Sequence, residues 1–395
     1  MSDVAPRPLS IWLVAGEESG DQLGAKLMRA LKANCADRGV TFAGVGGHAM
    51  EDEGLKVLFP VSDIAMMGIG AVVAHLPRLV RRVYSAVDAI VAAQPDAVVI
   101  IDSPEFTHAI AKRVRRRLPS LPIVNYVSPS VWAWRPGRAR RMRAYVDHVL
   151  ALKPFEPEAH ERLGGPPCTY VGHPLIERLA ELRPRPGERA PLHEDPVNLL
   201  VLPGSRRSEI SRLMEPFGAA LELLAARSPR PLRVVVPAVA HLADEIQLGA
   251  RDWPVPIEVV RGEAAKYAAF RTAHAALAAS GTVTLELALS GIPMVVAYKV
   301  SKLEEQLRYL IKVPSIVLAN LILGDNVIPE RVQWDCTPDK LVEALLPLLD
   351  DTPERRRQVE AFTRLDELMS IGKEAPSERA ARLVREAIKG DGASA

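Results

Sequence analysis

Short, nearly continuous apolar runs recur along this chain, and they constrain its fold more than any other feature. In the first half they are Leu9–Ala15, Ala97–Ile101, Ile123–Val127 and His148–Leu152. In the second they are Val197–Leu202, Leu232–Val236, Ile257–Val260, Ala275–Ala279 and Met294–Ala297. Their length suits strands, and stretches with helical spacing such as Gly24–Asn34 and Pro77–Ala93 lie between them. A strand that is apolar on both faces must be covered on both, as in a parallel sheet with helices above and below it. The expected fold class is α/β, with two facing Rossmann-like doubly wound parallel-sheet domains.

Residues 183–196 mark the break. Arg183–Asp195 is proline-rich, charged and poor in core residues, as expected of a linker. This predicts an N-terminal domain over 1–182, a second domain over 197–365 and a terminal helical segment over 366–395. The 395 residues suffice for two domains of ordinary size. A formal net charge of +2 gives no reason to expect nucleic acid. Cys35, Cys168 and Cys336 are scattered, without metal-ligand spacing, and read as reduced thiols. Met1–Ser10 does not read as a signal peptide, and no apolar run approaches the roughly 20 residues of a membrane span.

Doubly wound sheets bind ligands at the carboxyl ends of their strands, so four loops there carry the chemistry. The first is Ala15-Gly16-Glu17-Glu18-Ser19-Gly20-Asp21, in which Gly16 and Gly20 flank acidic groups and Ser19 before a helix. Glu17 and Asp21 could grip sugar hydroxyls, or Ser19 or Asp21 could cap the helix. In the second, Asp102 ends a fully apolar strand, where a carboxylate is costly unless it is paired or used. It suits a general base for glycosyl transfer with inversion, and a cap or turn residue is the plain alternative. The third is Leu202-Pro203-Gly204-Ser205-Arg206, where free amides near Gly204 and Ser205 could hold phosphate oxygens and Arg206 a diphosphate. The fourth is Ser280-Gly281-Thr282, followed by Glu286 one helical turn later, placed to accept from ribose hydroxyls.

Neither glycine pattern is a dinucleotide fingerprint or a Walker loop, which disfavours a dehydrogenase or nucleoside triphosphatase. No metal-ligand cluster or serine triad spacing appears, so neither a metal nor a cofactor is expected. Met66–Leu76 is unusually apolar and runs into a helix carrying Arg78, Arg81 and Arg82 on another face. It reads as a membrane contact or as an ordinary core helix with a solvated basic side. Arg135, Arg138, Arg140, Arg141 and Arg143, beside Trp132 and Trp134, suit lipid headgroups or RNA.

Several of these motifs resemble those of bacterial lipid A disaccharide synthases. They are Val14–Asp21, Gly44-Val45-Gly46-Gly47-His48-Ala49-Met50, Met67-Gly68-Ile69 and the long Tyr126–Trp134 segment. Leu202–Arg206, Ser280–Glu286 and Pro293–Val296 continue the match. The resemblance implies a GT-B type glycosyltransferase with its active site between the domains. It implies transfer from a UDP-diacylglucosamine to diacylglucosamine 1-phosphate, metal-independent, at the cytoplasmic face of the anionic inner membrane. It further implies that the C-terminal helix near Ser377–Lys389 returns to the first domain, and it leaves an oligomer open.

Carried over by position, Asp102 matches the family's essential aspartate, Arg206 its diphosphate-binding arginine, Glu286 a ribose contact and Asn320 a donor-site residue. Met66, Met67, Ile69, Val72, Val73 and Leu76 become acyl-chain and membrane contacts. The chain departs from the usual Pro-Asp-Phe-Asn with Pro104-Glu105-Phe106-Thr107, and from Gly-Arg-Glu with Leu323-Gly324-Asp325-Asn326. The competing readings are a UDP-GlcNAc 2-epimerase-like enzyme on a soluble UDP-sugar, a non-catalytic nucleotide or lipid binder, and an RNA-binding protein.

Overall fold

The computed structural model describes residues 7–65, 72–301 and 313–390. It divides into two compact units, Met1–Pro174 with Ile371–Ala395, and Leu175–Ser370. The first unit holds a seven-stranded sheet of β1 (Leu9–Ala15), β2 (Val40–Gly46), β3 (Leu55–Pro60), β4 (Ala97–Ile101), β5 (Ile123–Tyr126), β6 (His148–Ala151) and β7 (Cys168–Tyr170). The strand order is β3-β2-β1-β4-β5-β6-β7, and every pairing is parallel.

β1 shows why these strands read as apolar runs. Ile11, Leu13 and Ala15 pack into one core, while Trp12 and Val14 pack into another on the opposite face. The first core is closed by the helix Glu18–Asn34 and by the C-terminal helix Pro376–Gly390, through Leu27 and Leu31 of one and Ala380, Ala381 and Val384 of the other. The C-terminal helix is amphipathic, so it needs such a surface to bury its apolar stripe. The second core is covered by Val83, Val87 and Ile90 of the helix Val72–Ala93 and by Phe106, Ile110 and Val114 of the helix Pro104–Arg117.

The second unit holds β8 (Val197–Leu202), β9 (Leu232–Ala238), β10 (Ile257–Arg261), β11 (Ala275–Ala279), β12 (Met294–Tyr298) and β13 (Glu330–Val332). They form a parallel sheet in the order β10-β9-β8-β11-β12-β13. In both sheets the order reverses beside the first strand, at β1/β4 and at β8/β11. A crevice is expected at such a reversal.

Residues 183–196, read above as a linker, are folded against the second unit. Arg183 donates to the Leu289 carbonyl (3.0 Å) and pairs with Asp366. Half-buried Arg189 donates to the carbonyls of Phe270 (3.1 Å), Ser290 (3.0 Å) and Gly291 (3.2 Å). These arginines explain why a segment poor in apolar residues is nonetheless held. Cys35, Cys168 and Cys336 are unpaired thiols, each raised in pKa by burial.

Candidate active site

The helix after β1 begins at Glu18, so Ser19, Gly20 and Asp21 belong to its first turns and not to the loop predicted. Glu17 and Ser19 are exposed. Asp21 is only 3% exposed, and its carboxylate accepts from the amides of Gly47 (2.7 Å), Ala49 (3.0 Å) and Met50 (3.2 Å). Those amides open the short helix His48–Asp52, whose first N–H groups have no partner within the helix. Asp21 therefore ties one loop to the next, which corrects the expectation that it grips a sugar. Gly47 is the available signal, since its backbone is extended and a Cβ there would lie 2.8 Å from Asp21 Oδ2, so glycine lets the amide approach the acid this closely.

Gly16 is fixed by its neighbour across the order reversal. A Cβ there would lie 2.2 Å from the Cβ of Ser103. Ser103 follows Asp102, and both adopt left-handed backbone, with φ of 41° and 53°. Such a conformation costs a residue with a Cβ on the order of 1–2 kcal/mol. The turn is held by Thr107, a departure from the usual pattern, whose hydroxyl donates to the carbonyls of Asp102 (2.7 Å) and Ser103 (3.2 Å). The Asp102 amide donates to the Tyr126 carbonyl (3.1 Å). Asp102 Oδ1 accepts from the Ser103 amide (2.8 Å), and Oδ2 has no partner among the described residues. The carboxylate is half-buried.

A buried polar chain backs this turn. His108 meets Asn125 Oδ1 (3.0 Å) and the Tyr145 hydroxyl (3.1 Å), and Asn125 donates to the Val127 carbonyl (2.9 Å). Val127 has φ of 75°, unusual for a β-branched residue. Burial lowers the His108 pKa to about 4, so the ring is neutral. Further along, buried Ser128 lies 2.8 Å from His160 Nε2, and Glu156, fully buried, accepts from Trp132 Nε1 (3.1 Å) and Lys153 Nζ (3.0 Å). The Tyr126–Trp134 segment is thus anchored from beneath.

In the second unit the reversal is open. A cavity of about 530 Å³ is lined by Gly204, Ser205 and Arg206 from the end of β8, and by Ser280, Gly281, Thr282 and Glu286 from the end of β11. The two loops come together as expected. The cavity also includes Ala238, Gly262 and Lys266, which the sequence reading did not single out. Lys266 Nζ lies 2.8 Å from Glu286 Oε2. Its position in the helix Glu263–Thr272 gives no local motif, and only the fold of β10 and its helix reveals it.

Two expectations change here. The amides of Ser205 and Arg206 do not point outward unpaired, since Glu209 Oε2 accepts from both (2.9 and 3.2 Å) and Oε1 meets the Arg206 guanidinium (3.1 Å). A free amide next to a buried carboxylate has a partner closer than any phosphate. Thr282 and Val283 instead open the helix Thr282–Leu289, where unpaired amides are expected. Asn320 does not line the cavity. It is buried, with Oδ1 accepting from the Ile328 amide (3.0 Å) and Nδ2 donating to the Ile328 carbonyl (3.0 Å) and Glu330 (3.1 Å). Glu330 also accepts from the Ile316 amide (3.0 Å), and the Ile316 carbonyl accepts from the Ser280 hydroxyl (2.9 Å). Asn320 supports the cavity wall at one remove. Asp325 and Asn326 are exposed and lie outside the cavity lining, where Asp325 meets Arg357 (3.2 Å).

Of the apolar stretch, Met66, Met67 and Ile69 lie outside the described residues, and Val72, Val73 and Leu76 fall in the first turns of the helix Val72–Ala93. Among the described residues no helix is long and apolar enough to cross a membrane.

Residues 11–384 match the family described as lipid-A-disaccharide synthetase. A curated lipid-A-disaccharide synthase of Rhodopseudomonas palustris (strain HaA2) is 56% identical over 380 residues, covering 96% of each chain. The chain belongs to the lipid-A-disaccharide synthase family. A second lipid-A-disaccharide synthase, from Bradyrhizobium diazoefficiens, is 56% identical over 95% of each chain. Lipid-A-disaccharide synthases are glycosyltransferases, and the fold agrees. The MurG structure from Acinetobacter baumannii has a TM-score of 0.60 at 14% identity, covering 96% of this chain and all of that one. The UDP-GlcNAc 2-epimerase of Neisseria meningitidis, bound to UDP-GlcNAc, scores 0.61 at 13% identity, covering 97% of this chain and 100% of that one.

Proposed function

We propose that this chain transfers the diacylglucosaminyl group of a UDP-2,3-diacylglucosamine to the 6-hydroxyl of 2,3-diacylglucosamine 1-phosphate, giving the beta-1,6-linked disaccharide 1-phosphate and UDP. The observation that carries this reading is the second unit's cavity. Its volume lies within the range of small-ligand sites, roughly 300–1,000 Å³. Two cations, Arg206 and Lys266, share it with three glutamates, of which Glu209 meets Arg206, Glu263 meets Arg178 and Glu286 meets Lys266.

A nucleoside diphosphate fits that chemistry. Glu286 accepts from ribose hydroxyls, while Arg206, Lys266 and the amides of Thr282 and Val283 meet the diphosphate. As the acceptor oxygen attacks the anomeric carbon, its proton passes to Asp102. The bond from that carbon to the diphosphate breaks, and its electron pair leaves with UDP, whose growing charge the two cations stabilise. The left-handed turn at Asp102 supports the assignment of the base, since strain of this kind is retained where the presented group is used.

A mixed-micelle assay with both lipid substrates tests the reading. Disaccharide phosphate with matching UDP release supports it. UDP binding without disaccharide moves the assignment to a soluble UDP-sugar, the epimerase chemistry.

Membrane contact through Met66–Leu76, at the cytoplasmic face of an anionic inner membrane, belongs to the same proposal. Acylated substrates must be drawn from a bilayer, and each buried methylene is worth about 0.8 kcal/mol. Serine at Met66, Met67 and Ile69 should weaken liposome binding and leave UDP binding intact. Unchanged liposome binding removes this element.

A further inference from the structure

We infer that Arg135 and Arg138 form the seat of the acceptor's phosphate monoester, and that the Glu105 carboxylate stands where that phosphate binds. The inference rests on the acceptor proposed above. Arg138 NH2 and Arg135 NH1 both meet Oε1 of Glu105, the latter at 3.2 Å. The Arg138 side chain is only 14% exposed, whereas that of Glu105 is 71% exposed. A sunken guanidinium needs an anion, and here its anion reaches in on an exposed, displaceable side chain.

Arg135 is held in place for more than a surface pair. It has φ of 53°, a left-handed conformation, and its guanidinium lies 4.1 Å from the centroid of the Trp134 ring. Stacking on an aromatic face leaves the edge donors of a guanidinium directed outward. Two such forks converging on one carboxylate oxygen match the several oxygens of a phosphate better than the single oxygen they share.

Charge around the pair is also out of balance. Lys112 is lowered in pKa by burial first and then by Arg141 and Arg138, with Glu105 the opposing carboxylate. Arg135, Arg138, Arg141 and Lys112 therefore crowd one acidic group. A dianion supplies the missing charge.

The location fits the acceptor's chemistry. Glu105 sits in the first turn of the helix that starts just after Asp102 and Ser103. In a glucosamine 1-phosphate, the carbons bearing the reacting 6-hydroxyl arm and the phosphate flank the ring oxygen. A base at Asp102 thus calls for a phosphate seat about one sugar away. The carboxylate at Glu105 would then guard the seat until a more highly charged anion displaces it.

The test compares turnover on the acceptor with and without its 1-phosphate, for the parent enzyme and for Arg135→Ala, Arg138→Lys and Glu105→Gln. Arg135→Ala and Arg138→Lys should each lower kcat/KM on the phosphorylated acceptor about tenfold or more, mainly through KM. Activity on the dephosphorylated acceptor and the donor KM should stay within about twofold, since neither uses the seat. Glu105→Gln should lower KM for the phosphorylated acceptor. Equal losses on both acceptors would overturn the inference and leave the arginines a structural role. Lost binding to phosphatidylglycerol vesicles with unchanged acceptor discrimination would overturn it in favour of a lipid headgroup contact. Titration with glucosamine 1-phosphate, followed by phosphorus NMR, separates this idea from the proposed reaction. Binding that needs Arg135 upholds the seat even without turnover, and binding indifferent to Arg135 removes it.

Discussion

The two order reversals, β1/β4 and β8/β11, share a topology and differ in what fills them. At β1/β4 the loops touch, and even a methyl group on Gly16 would collide with Ser103. At β8/β11 the loops part around a cavity of about 530 Å³, and an added Cβ on Gly281 would meet nothing within 4 Å. The first reversal is a packed platform that holds one carboxylate in a strained turn. The second is a receptacle with cations on its walls. Topology says where a site can form, but side-chain size at the loop tips decides whether it is a presented group or a hole.

The sharpest test separates the two roles directly. Asp102→Asn should lower turnover by about 10²–10⁴-fold, the usual range for removing a general base, while UDP affinity measured by calorimetry stays as it was. A loss of UDP affinity instead would mean that the platform and the receptacle are not separable. The converse change, Arg206→Ala, should weaken UDP binding by roughly 10–100-fold, as for a charged hydrogen bond, without changing the fold of either unit. Normal UDP binding by that variant would take the diphosphate away from Arg206.

Packing gives the next contrast. Gly16→Ala should destabilise the protein by about 1–3 kcal/mol in a denaturant titration, as overpacking does, and Gly281→Ala should leave stability within about 0.5 kcal/mol. Equal costs would contradict the closed and open description. The smallest expected effect concerns pH. Burial holds His108 and His160 at about 4 and His173 at about 3 in the first unit, whereas His274 in the second is lowered as well. An unfolded histidine titrates near 6.5, so the unfolded chain takes up these protons first. The stability they contribute is intact above about pH 6.5 and is lost as the pH falls towards 4, by about 1.4 kcal/mol per pH unit for each fully shifted ring. Hydrogen exchange should show the first unit loosening on acidification before the second, and His108→Gln should reduce that slope. A slope unchanged in the variant would remove His108 from the explanation.

Much of this architecture was readable in the residues. Strands buried on both faces, such as β4 and β11, appear as continuous apolar runs, and their ends mark the functional loops. β2, β3, β7 and β13 do not stand out as apolar runs. β2 carries glycines and a threonine, and β13 is a three-residue edge strand with no fully buried residue. The loops at Gly204–Arg206 and Ser280–Thr282 share one pattern in the sequence, and the structure brings them to one cavity. Lys266 carries no such signal, because a single lysine in a helix has no pattern to distinguish it from a solvated one.

Periodicity and the chemistry of strand ends determined the α/β class, the parallel sheets and the polar loops, while the family entered through the resemblance of whole motifs. These are local properties, set by which faces of a strand or helix must avoid water. Tertiary structure alone decided which polar groups remain available. Asp21, Asn320 and the amides of Ser205 and Arg206 are all of the right chemical type for a ligand, yet each is already bonded within the protein. A hydrogen-bonding group is available only if no protein partner reaches it first, and that depends on residues brought near by the fold. For Asp21 the partners lie 26 to 29 positions away. Thr107 and Tyr126 hold the backbone of Asp102, and among the described residues no partner reaches its Oδ2.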